Sequence, residues 1–265
     1  MSYKLNSNLD GTRVALVTGA AMGIGAAIAE RLGRDGFRVL VSDLNVTEAE
    51  KTASRLLDAG LAAEPLQLDV GKPESIARAF GIINDRHGRC DVLVNNAGIV
   101  KTFPFIDFPL DNWLATLQIN VTGTLLCSQH AARLMIAKDW GRIVNIASVA
   151  GMRAIGNGRT AYGTSKAAVI ALTRQMAVEL ADHGITANSV APGPVDTPLT
   201  AVLHTPEFRH AYTSAIPMKR YGRTDEIASA VSFLASDESA YITGATIPVD
   251  GGFMSAGVLG VQTRE

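Results

Sequence analysis

The chain has 265 residues, 47% of them hydrophobic and 18% charged, with a formal net charge of −1. That length suffices for one large buried core, and the balanced charge offers no basic surface for nucleic acid. No apolar run reaches the ~18 residues of a membrane span, so no membrane partner is expected. Cys90 and Cys127, the two cysteines, read as packed thiols, and no paired-cysteine or histidine spacing suggests a metal site; a reducing cytoplasm is the expected compartment.

Residues 1–11 are polar and lack a signal-peptide core, so they read as a leader. The first strand, Arg13–Thr18, runs into Gly19, Gly23 and Gly25 and then a helix over Ile24–Asp35. Missing side chains in such a turn let a pyrophosphate approach backbone N–H groups at a positive helix end, with Met22 and Ile24 on the same turn. A tight packing turn is the simpler account of the glycines, and the strand–turn–helix context favours the dinucleotide.

The second strand, Arg38–Ser42, ends at Asp43, eighteen positions after Gly25. A carboxylate there accepts from adenosine ribose hydroxyls and repels a 2′-phosphate, which favours NAD over NADP; capping the following helix, Thr47–Ala59, is the other use of Asp43. Neither Met22 nor Leu44 supplies a cation for an extra phosphate. The third strand, Glu64–Leu68, leads to Asp69 and Val70, candidates for the adenine end, and Asp69 serves equally as a turn cap. After a helix over Pro73–His87 comes the strand Val92–Val94. It closes on Asn95-Asn96-Ala97-Gly98, where small residues allow backbone to come close to a flat ligand.

A long helical pattern over Leu110–Ala137 contains Asn120, a poor helix former able to hold a water. The strand Arg142–Ile146 precedes Ser148 and a glycine-rich loop, Gly151–Gly158. The helix Arg159–Asp182 then carries Tyr162 and Lys166 at i,i+4, on one face. An ammonium beside a phenol favours phenolate, pulling a pKa of about 10 toward neutrality. Such a phenol gives or takes a proton at an alcohol or carbonyl oxygen, with Ser148 as a fixed donor. Taken alone, each of these residues has an ordinary structural account: a turn cap, a solvated helix face, a helix-bonded asparagine.

The strand Thr186–Val190 leads to Pro192-Gly193-Pro194-Val195 and an insert over residues 195–217, broken by prolines, which suits a substrate loop. A helix over Asp225–Ala235, a strand over Thr246–Val249 and a tail from Phe253 to Glu265 complete the chain. Alternating strands and helices without linkers or repeats predict one α/β domain over residues 1–265, built on a parallel sheet covered on both faces.

Taken together, Thr18-Gly19-x-x-x-Gly23-Ile24-Gly25, Asp69, Asn95-Asn96-Ala97-Gly98, Asn120, Ser148, Tyr162-x-x-x-Lys166, Pro192-Gly193-Pro194-Val195-Asp196-Thr197 and Ile242-Thr243-Gly244…Val249-Asp250-Gly251-Gly252 resemble the short-chain dehydrogenase/reductase family. The resemblance runs from about Thr12 to Gly252. It implies a single-domain, Rossmann-like three-layer α/β/α sandwich with a seven-stranded parallel sheet. It also implies a catalytic tetrad of Asn120, Ser148, Tyr162 and Lys166. Pro192, Gly193, Val195 and Thr197 would meet the nicotinamide end, and two long helices would pair in a homotetramer. The interval from Ser148 to Tyr162 is one position longer than the commonest family spacing, and the tail runs past the usual end, where it either covers a neighbouring subunit's site or frays.

The expected reaction is hydride transfer between NAD and a secondary alcohol or ketone, with a small polyol, sugar or hydroxy-ketone favoured. Residues 99–105, 149–159 and 194–217 would line the pocket, mixing Phe103, Met152, Leu199 and Leu203 with Arg153, Asn157, His204 and Tyr212. Arg153 and His204 read more readily as surface residues than as substrate ligands. A 3-oxoacyl-acyl-carrier-protein reductase is the leading alternative, opposed by an acidic Asp139 near where those enzymes carry arginines, as they also do near His183. A non-catalytic NAD-binding sensor is the alternative of another class. A hydrolase on Ser148 lacks Gly-x-Ser-x-Gly, and an enoyl reductase would show a longer Tyr–Lys spacing.

Overall fold

The computed structural model describes residues 12–257, so the expected leader and the far end of the tail lie outside the described residues. Short runs of β-branched and leucine side chains form the strands β1 (Val14–Thr18), β2 (Arg38–Asp43), β3 (Ala63–Gln67), β4 (Val92–Asn95), β5 (Gly141–Ile146), β6 (Ile185–Pro192) and β7 (Thr246–Val249). They make one seven-stranded sheet in the order β3-β2-β1-β4-β5-β6-β7, every pairing parallel.

Each strand sends alternate side chains to opposite faces. In β1, Ala15 and Val17 join one buried layer and Val14 and Leu16 the other. The first layer packs on α1 (Gly23–Arg34), α2 (Val46–Asp58) and α9 (Thr224–Ala235), through Ile28, Leu32, Leu56, Ile227 and Val231. The second packs on α3 (Pro73–His87), α5 (Gly123–Ile136) and α6 (Thr160–Leu180), through Ile76, Phe80, Ile83, Met135 and Met176. Burial on both faces explains why the central strands β1 and β4 are nearly continuous apolar runs, whereas the edge strand β3 exposes Pro65 and Gln67. Each edge strand carries a proline, Pro65 in β3 and Pro248 in β7, which weakens it as a template for further pairing. Cys90 and Cys127 are free and buried, and burial pushes the Cys127 thiol up to about 12.

The expected helix over Leu110–Ala137 departs from regular α geometry. Helix α4 (Leu110–Leu117) passes through a wide π turn at Gln118–Thr122 before α5 begins. Inside that turn Asn120 is 1% exposed. Its Oδ1 accepts from the Ile99 N–H (2.8 Å), and its Nδ2 donates to the Ile99 carbonyl (3.0 Å) and to Ser165 Oγ (3.0 Å). Three bonds to distant partners draw the helix out of register, as π turns at functional sites do. Asp43 is not the cap of α2. Asn45 is, its side chain accepting from Glu48 N–H. The insert forms two short helices, α7 (Pro198–Leu203) and α8 (Pro206–Ala215).

Candidate active site

The order of the sheet reverses between β1 and β4, so the loops leaving their carboxyl ends diverge and open a crevice. The glycine turn occupies one side. Gly19 has φ +63°, and a Cβ on it would lie 2.9 Å from the Ala97 Cα; a Cβ on Gly25 would lie 2.2 Å from the Gly19 carbonyl oxygen. The opposite loop makes the turn this tight. Asn96 Nδ2 donates to the Thr18 and Gly19 carbonyls (2.9 Å each), while the N–H groups of Asn96 and Ala97 donate to Thr18 Oγ1 (3.0 Å each). Thr18 therefore welds β1 to the turn after β4, a role sequence reasoning assigned to no residue.

The amino end of α1 has no internal counter-charge. Met22, its N-cap, is 55% exposed and makes no side-chain capping bond, and no acidic residue stands in the first turn. Free N–H groups behind a glycine turn fit a pyrophosphate. Asp43, partly exposed, accepts from the Ala21 N–H (3.2 Å) through Oδ2 and from the Asn45 N–H (3.0 Å) through Oδ1. Each oxygen keeps a lone pair for a ribose hydroxyl. Asp69 closes its own turn, accepting from the Gly71 N–H (2.9 Å), with Lys72 Nζ 3.6 Å from its other oxygen. Val70 is buried against α5, where a Cβ on Gly123 would meet its carbonyl at 2.6 Å.

Beside this cradle lies a cavity of about 690 Å³. Its walls include Ile24, Asn96, Gly98, Ser148, Tyr162, Lys166, Pro192, Gly193, Val195 and Thr197, all expected at the cofactor or the chemistry. Gly19, Met22, Gly23, Gly25, Asp43, Asp69, Val70 and Ala97 do not line it; they belong to the cradle at the ends of β1 to β4. Thr197 links the two parts. It caps α7 through a reciprocal pairing with Thr200, and its Cβ and Cγ2 stand 3.8 Å from where a Gly23 side chain would begin.

Ser148 is the cap of a short 3₁₀ turn, accepting from the Ala150 N–H (3.1 Å), so the cap reading and the site reading hold together. Its hydroxyl is close enough to the Tyr162 phenol to pull the phenol's pKa down. Lys166 Nζ donates to the Ile146 carbonyl (2.7 Å) and sits 5.7 Å from the Tyr162 ring centroid. Burial dominates both groups. It pushes the Tyr162 phenol up, against the opposing pull of Ser148 and Arg159, and it brings Lys166 down to about 8. The expected lowering of the phenol by Lys166 is therefore not present in the protein without ligands. Asn120 does not reach the cavity; it braces Ile99, which lines it, and Ser165, whose Oγ donates to the Tyr162 carbonyl (2.7 Å).

The far wall is aromatic. Phe103, Phe208, Tyr212 and His204 line it, with Leu199, Asn157 and Arg159. The 152–159 loop closes the wall, the Phe103 N–H donating to the Gly158 carbonyl (3.1 Å). His204 is a site residue after all. Its Nδ1 lies 3.0 Å from the Tyr221 hydroxyl, and burial, Arg159 and Arg209 hold its pKa below the usual range. Arg153 and Met152 stay outside, Arg153 lying over the Phe253 ring at 5.1 Å. The side chain of Leu203 lies outside the described residues. Phe253, at the start of the tail, packs on Tyr212 of the same chain (5.8 Å between centroids). Arg159 and Phe208 were not singled out from the sequence; an arginine three positions before Tyr162 was the available signal.

The sequence model of a family described as enoyl-(acyl carrier protein) reductase matches residues 19–254. The chain belongs to the short-chain dehydrogenase/reductase family. A 3-oxoacyl-acyl-carrier-protein reductase of this family from Aquifex aeolicus is 41% identical over 242 residues, covering 91% of the chain and 96% of the relative. The cis-4-hydroxycyclohexanecarboxylate dehydrogenase of Sinomonas cyclohexanicum is 41% identical over 243 residues, again covering 91% and 96%. A gluconate 5-dehydrogenase from Burkholderia cenocepacia, solved in complex with NADP and tartrate, superposes with a TM-score of 0.88 at 37% identity, over 92% of this chain and 96% of that one. As a short-chain dehydrogenase/reductase, the protein is an oxidoreductase of secondary alcohols and ketones that uses a nicotinamide cofactor. No helix among the described residues is long and apolar enough to cross a membrane, and no cluster of three metal-ligating side chains occurs among them.

Asp139 and His183 stand just before β5 and β6, at the amino end of the sheet, while Ser148 follows the carboxyl end of β5. The six residues of β5 separate the two ends by ~20 Å. The acidic charge of Asp139 thus lies on the surface at the amino end of the sheet, away from the cavity itself.

Proposed function

We propose that the protein oxidises a small polyol, sugar or hydroxy-ketone, with NAD preferred over NADP and Tyr162 as the proton-transferring group. The observation that carries this reading is the placing of Ser148, Tyr162 and Lys166 on one cavity beside an anion-ready glycine turn. When bound, the nicotinamide ring accepts or supplies the hydride. The chain's own residues do the rest. In oxidation Tyr162 takes the hydroxyl proton while Ser148 holds the same oxygen; in reduction Tyr162 returns the proton. Lys166, bonded to the Ile146 carbonyl, is the residue that would hold the nicotinamide ribose hydroxyls and bring positive charge beside the phenol. Asn120, with no side-chain donor to spare, acts as a positioning residue through Ile99 and Ser165.

Asp43 supports the cofactor preference, since its two oxygens face the turn where an adenosine ribose would lie and would repel a 2′-phosphate. Exposed apolar side chains on the long helices, Leu110, Leu114, Leu125 and Val178, support a homotetramer paired through them. A second reading, a 3-oxoacyl-acyl-carrier-protein reductase, is favoured by the Aquifex relative, while the acidic Asp139 counts against docking of an acidic carrier.

The test is a screen of polyols, aldoses, secondary alcohols and acetoacetyl thioesters with NAD(H) and NADP(H), run on the natural protein and on Asp43→Ala. NAD-linked turnover of a hydroxy compound that loses its cofactor discrimination in Asp43→Ala is expected. Preference for NADP in the natural protein would overturn the reading of Asp43, and turnover of thioesters alone would favour the second reading.

A further inference from the structure

The walls of the cavity hold Lys101, Arg159 and Lys166 and not one aspartate or glutamate. Lys166 is bonded to the Ile146 carbonyl beneath Tyr162, and Lys101 is on an exposed loop at the mouth. Arg159 is different. It is partly buried, and among the described residues it has no ion pair and no side-chain hydrogen bond. Its guanidinium carbon lies 5.8 Å from the centroid of an uncharged ring, Phe208.

The position is also unfavourable for local structure. Arg159 is the N-cap of α6, makes no capping bond, and is followed by a first turn without acidic residues. A cation at a helix amino end opposes the helix dipole. Here nothing offsets it, although the chain pairs many of its other arginines with carboxylates, Arg209 with Asp196 and Arg220 with Glu226 among them. Local rules broken without compensation concentrate at functional sites. Arg159 lies three residues before Tyr162, whose helical neighbour Gly163 donates to the Arg159 carbonyl (2.8 Å). Its field reaches Tyr162, His204, Tyr212 and Tyr221. That places the charge at the aromatic, substrate end of the cavity, away from the glycine turn and its pyrophosphate.

We infer that the substrate is a hydroxy acid, or the corresponding keto acid, whose carboxylate is held by Arg159 while its carbinol carbon stands at Tyr162. A guanidinium takes a carboxylate in two parallel bonds, which fixes the carbon chain along the wall formed by Phe208 and Tyr212. Neutral His204 offers its outer ring nitrogen to a further hydroxyl, its Nδ1 being engaged with Tyr221. In the oxidation the carbinol C–H bond breaks and its hydride goes to the oxidised nicotinamide. The O–H proton passes to Tyr162, a C=O bond forms, and the carboxylate is unchanged. This inference rests on the oxidoreductase reading above and adds the charged group of the substrate.

The experiment compares gluconate, 3-hydroxybutyrate and cis-4-hydroxycyclohexanecarboxylate with their primary amides, in the natural protein, Arg159→Gln and Arg159→Lys. Arg159→Gln is expected to raise KM for the acid about tenfold or more and to move kcat/KM of the matching amide far less, with Arg159→Lys recovering part of the loss. Equal loss for acid and amide would show that Arg159 acts through Tyr162 or the fold, and the inference would fall. Calorimetry on the NAD-loaded Tyr162→Phe protein, with and without Arg159→Gln, decides the matter without turnover. An acid that binds more tightly than its amide, with the preference lost in Arg159→Gln, supports the inference; binding of none of the acids overturns it. Failure of every compound to turn over, with acid binding intact, would instead count against the oxidoreductase assignment.

Discussion

Ser165 Oγ stands between Asn120 and Tyr162, accepting from Asn120 Nδ2 at 3.0 Å and donating to the Tyr162 carbonyl at 2.7 Å. Ser165 is 0% exposed and Asn120 1%. The pair thus ties the π turn, the loop after β4 and the first turn of α6 into one unit, and alanine at position 165 would leave a buried amide donor without a partner. Ser165→Ala should lower stability by about 1–3 kcal/mol and reduce kcat more than it raises KM. Urea unfolding and steady-state kinetics measure both, and an unchanged midpoint would show the link to be idle.

Tyr162→Phe removes the hydroxyl and leaves the ring. Turnover should fall by about 100-fold or more, while cofactor affinity, read by fluorescence titration, stays within a few-fold. Burial holds the phenol above its ordinary value in the free protein. Oxidation, which needs the phenolate as base, should therefore still be gaining kcat/KM above pH 8, whereas reduction, which uses the neutral phenol, should not. A pH profile for oxidation that is flat from neutrality upward would contradict the assignment.

Lys166 is a stability cost retained for function. Its pKa lies at about 8, below the ordinary 10.5, because it is buried. Between these values the unfolded chain binds more protons than the folded one, so stability rises with pH across that window and the penalty is fully present below it. Lys166→Met should abolish turnover yet stabilise the protein at pH 7 by about 1–2 kcal/mol, after allowing for the lost bond to Ile146. Thermal unfolding at pH 7 and pH 10 tests the sign: the advantage of the variant should shrink at the higher pH.

Two glycines should respond in opposite directions to alanine. In Gly25→Ala the new methyl would meet the Gly19 carbonyl at 2.2 Å and Asn96 Nδ2 at 2.5 Å, so cofactor affinity should collapse. Gly81, on the exposed face of α3, has nothing within 4 Å of a new Cβ. Gly81→Ala should gain about 0.5–1 kcal/mol from helix propensity, with activity unchanged. Denaturation midpoints and cofactor titration of the two variants check both directions.

The central strands β1 and β4 were legible because burial on both faces leaves a plain apolar run, and the partly exposed edge strand Thr246–Val249 also falls where the sequence places it. Glycine and proline marked helix ends well, with Pro73 at the start of α3 and Gly88, in left-handed geometry, at its close. What sequence could not reveal depended on partners far along the chain. The break at Gln118–Thr122 arises from bonds between Asn120 and Ile99, twenty-one positions apart. Asn45 displaced Asp43 as a cap because Asp43 is drawn to the Ala21 N–H. His204 and Phe208 reached the cavity only because α7 and α8 fold back over it, and no local pattern in a proline-broken insert specifies that.

The bonds of Asn96 to Thr18 and Gly19, and of Lys166 to Ile146, have a thermodynamic corollary. A polar group already satisfied within the protein gains only a difference when a ligand arrives, so entry is an exchange of partners and not a fresh attraction. Groups fixed in this way need little further ordering when a ligand enters. Together these favour a cofactor held firmly enough to react and loosely enough to leave. For a catalyst that must discharge a spent dinucleotide on every cycle, a shallow well turns over faster than a deep one.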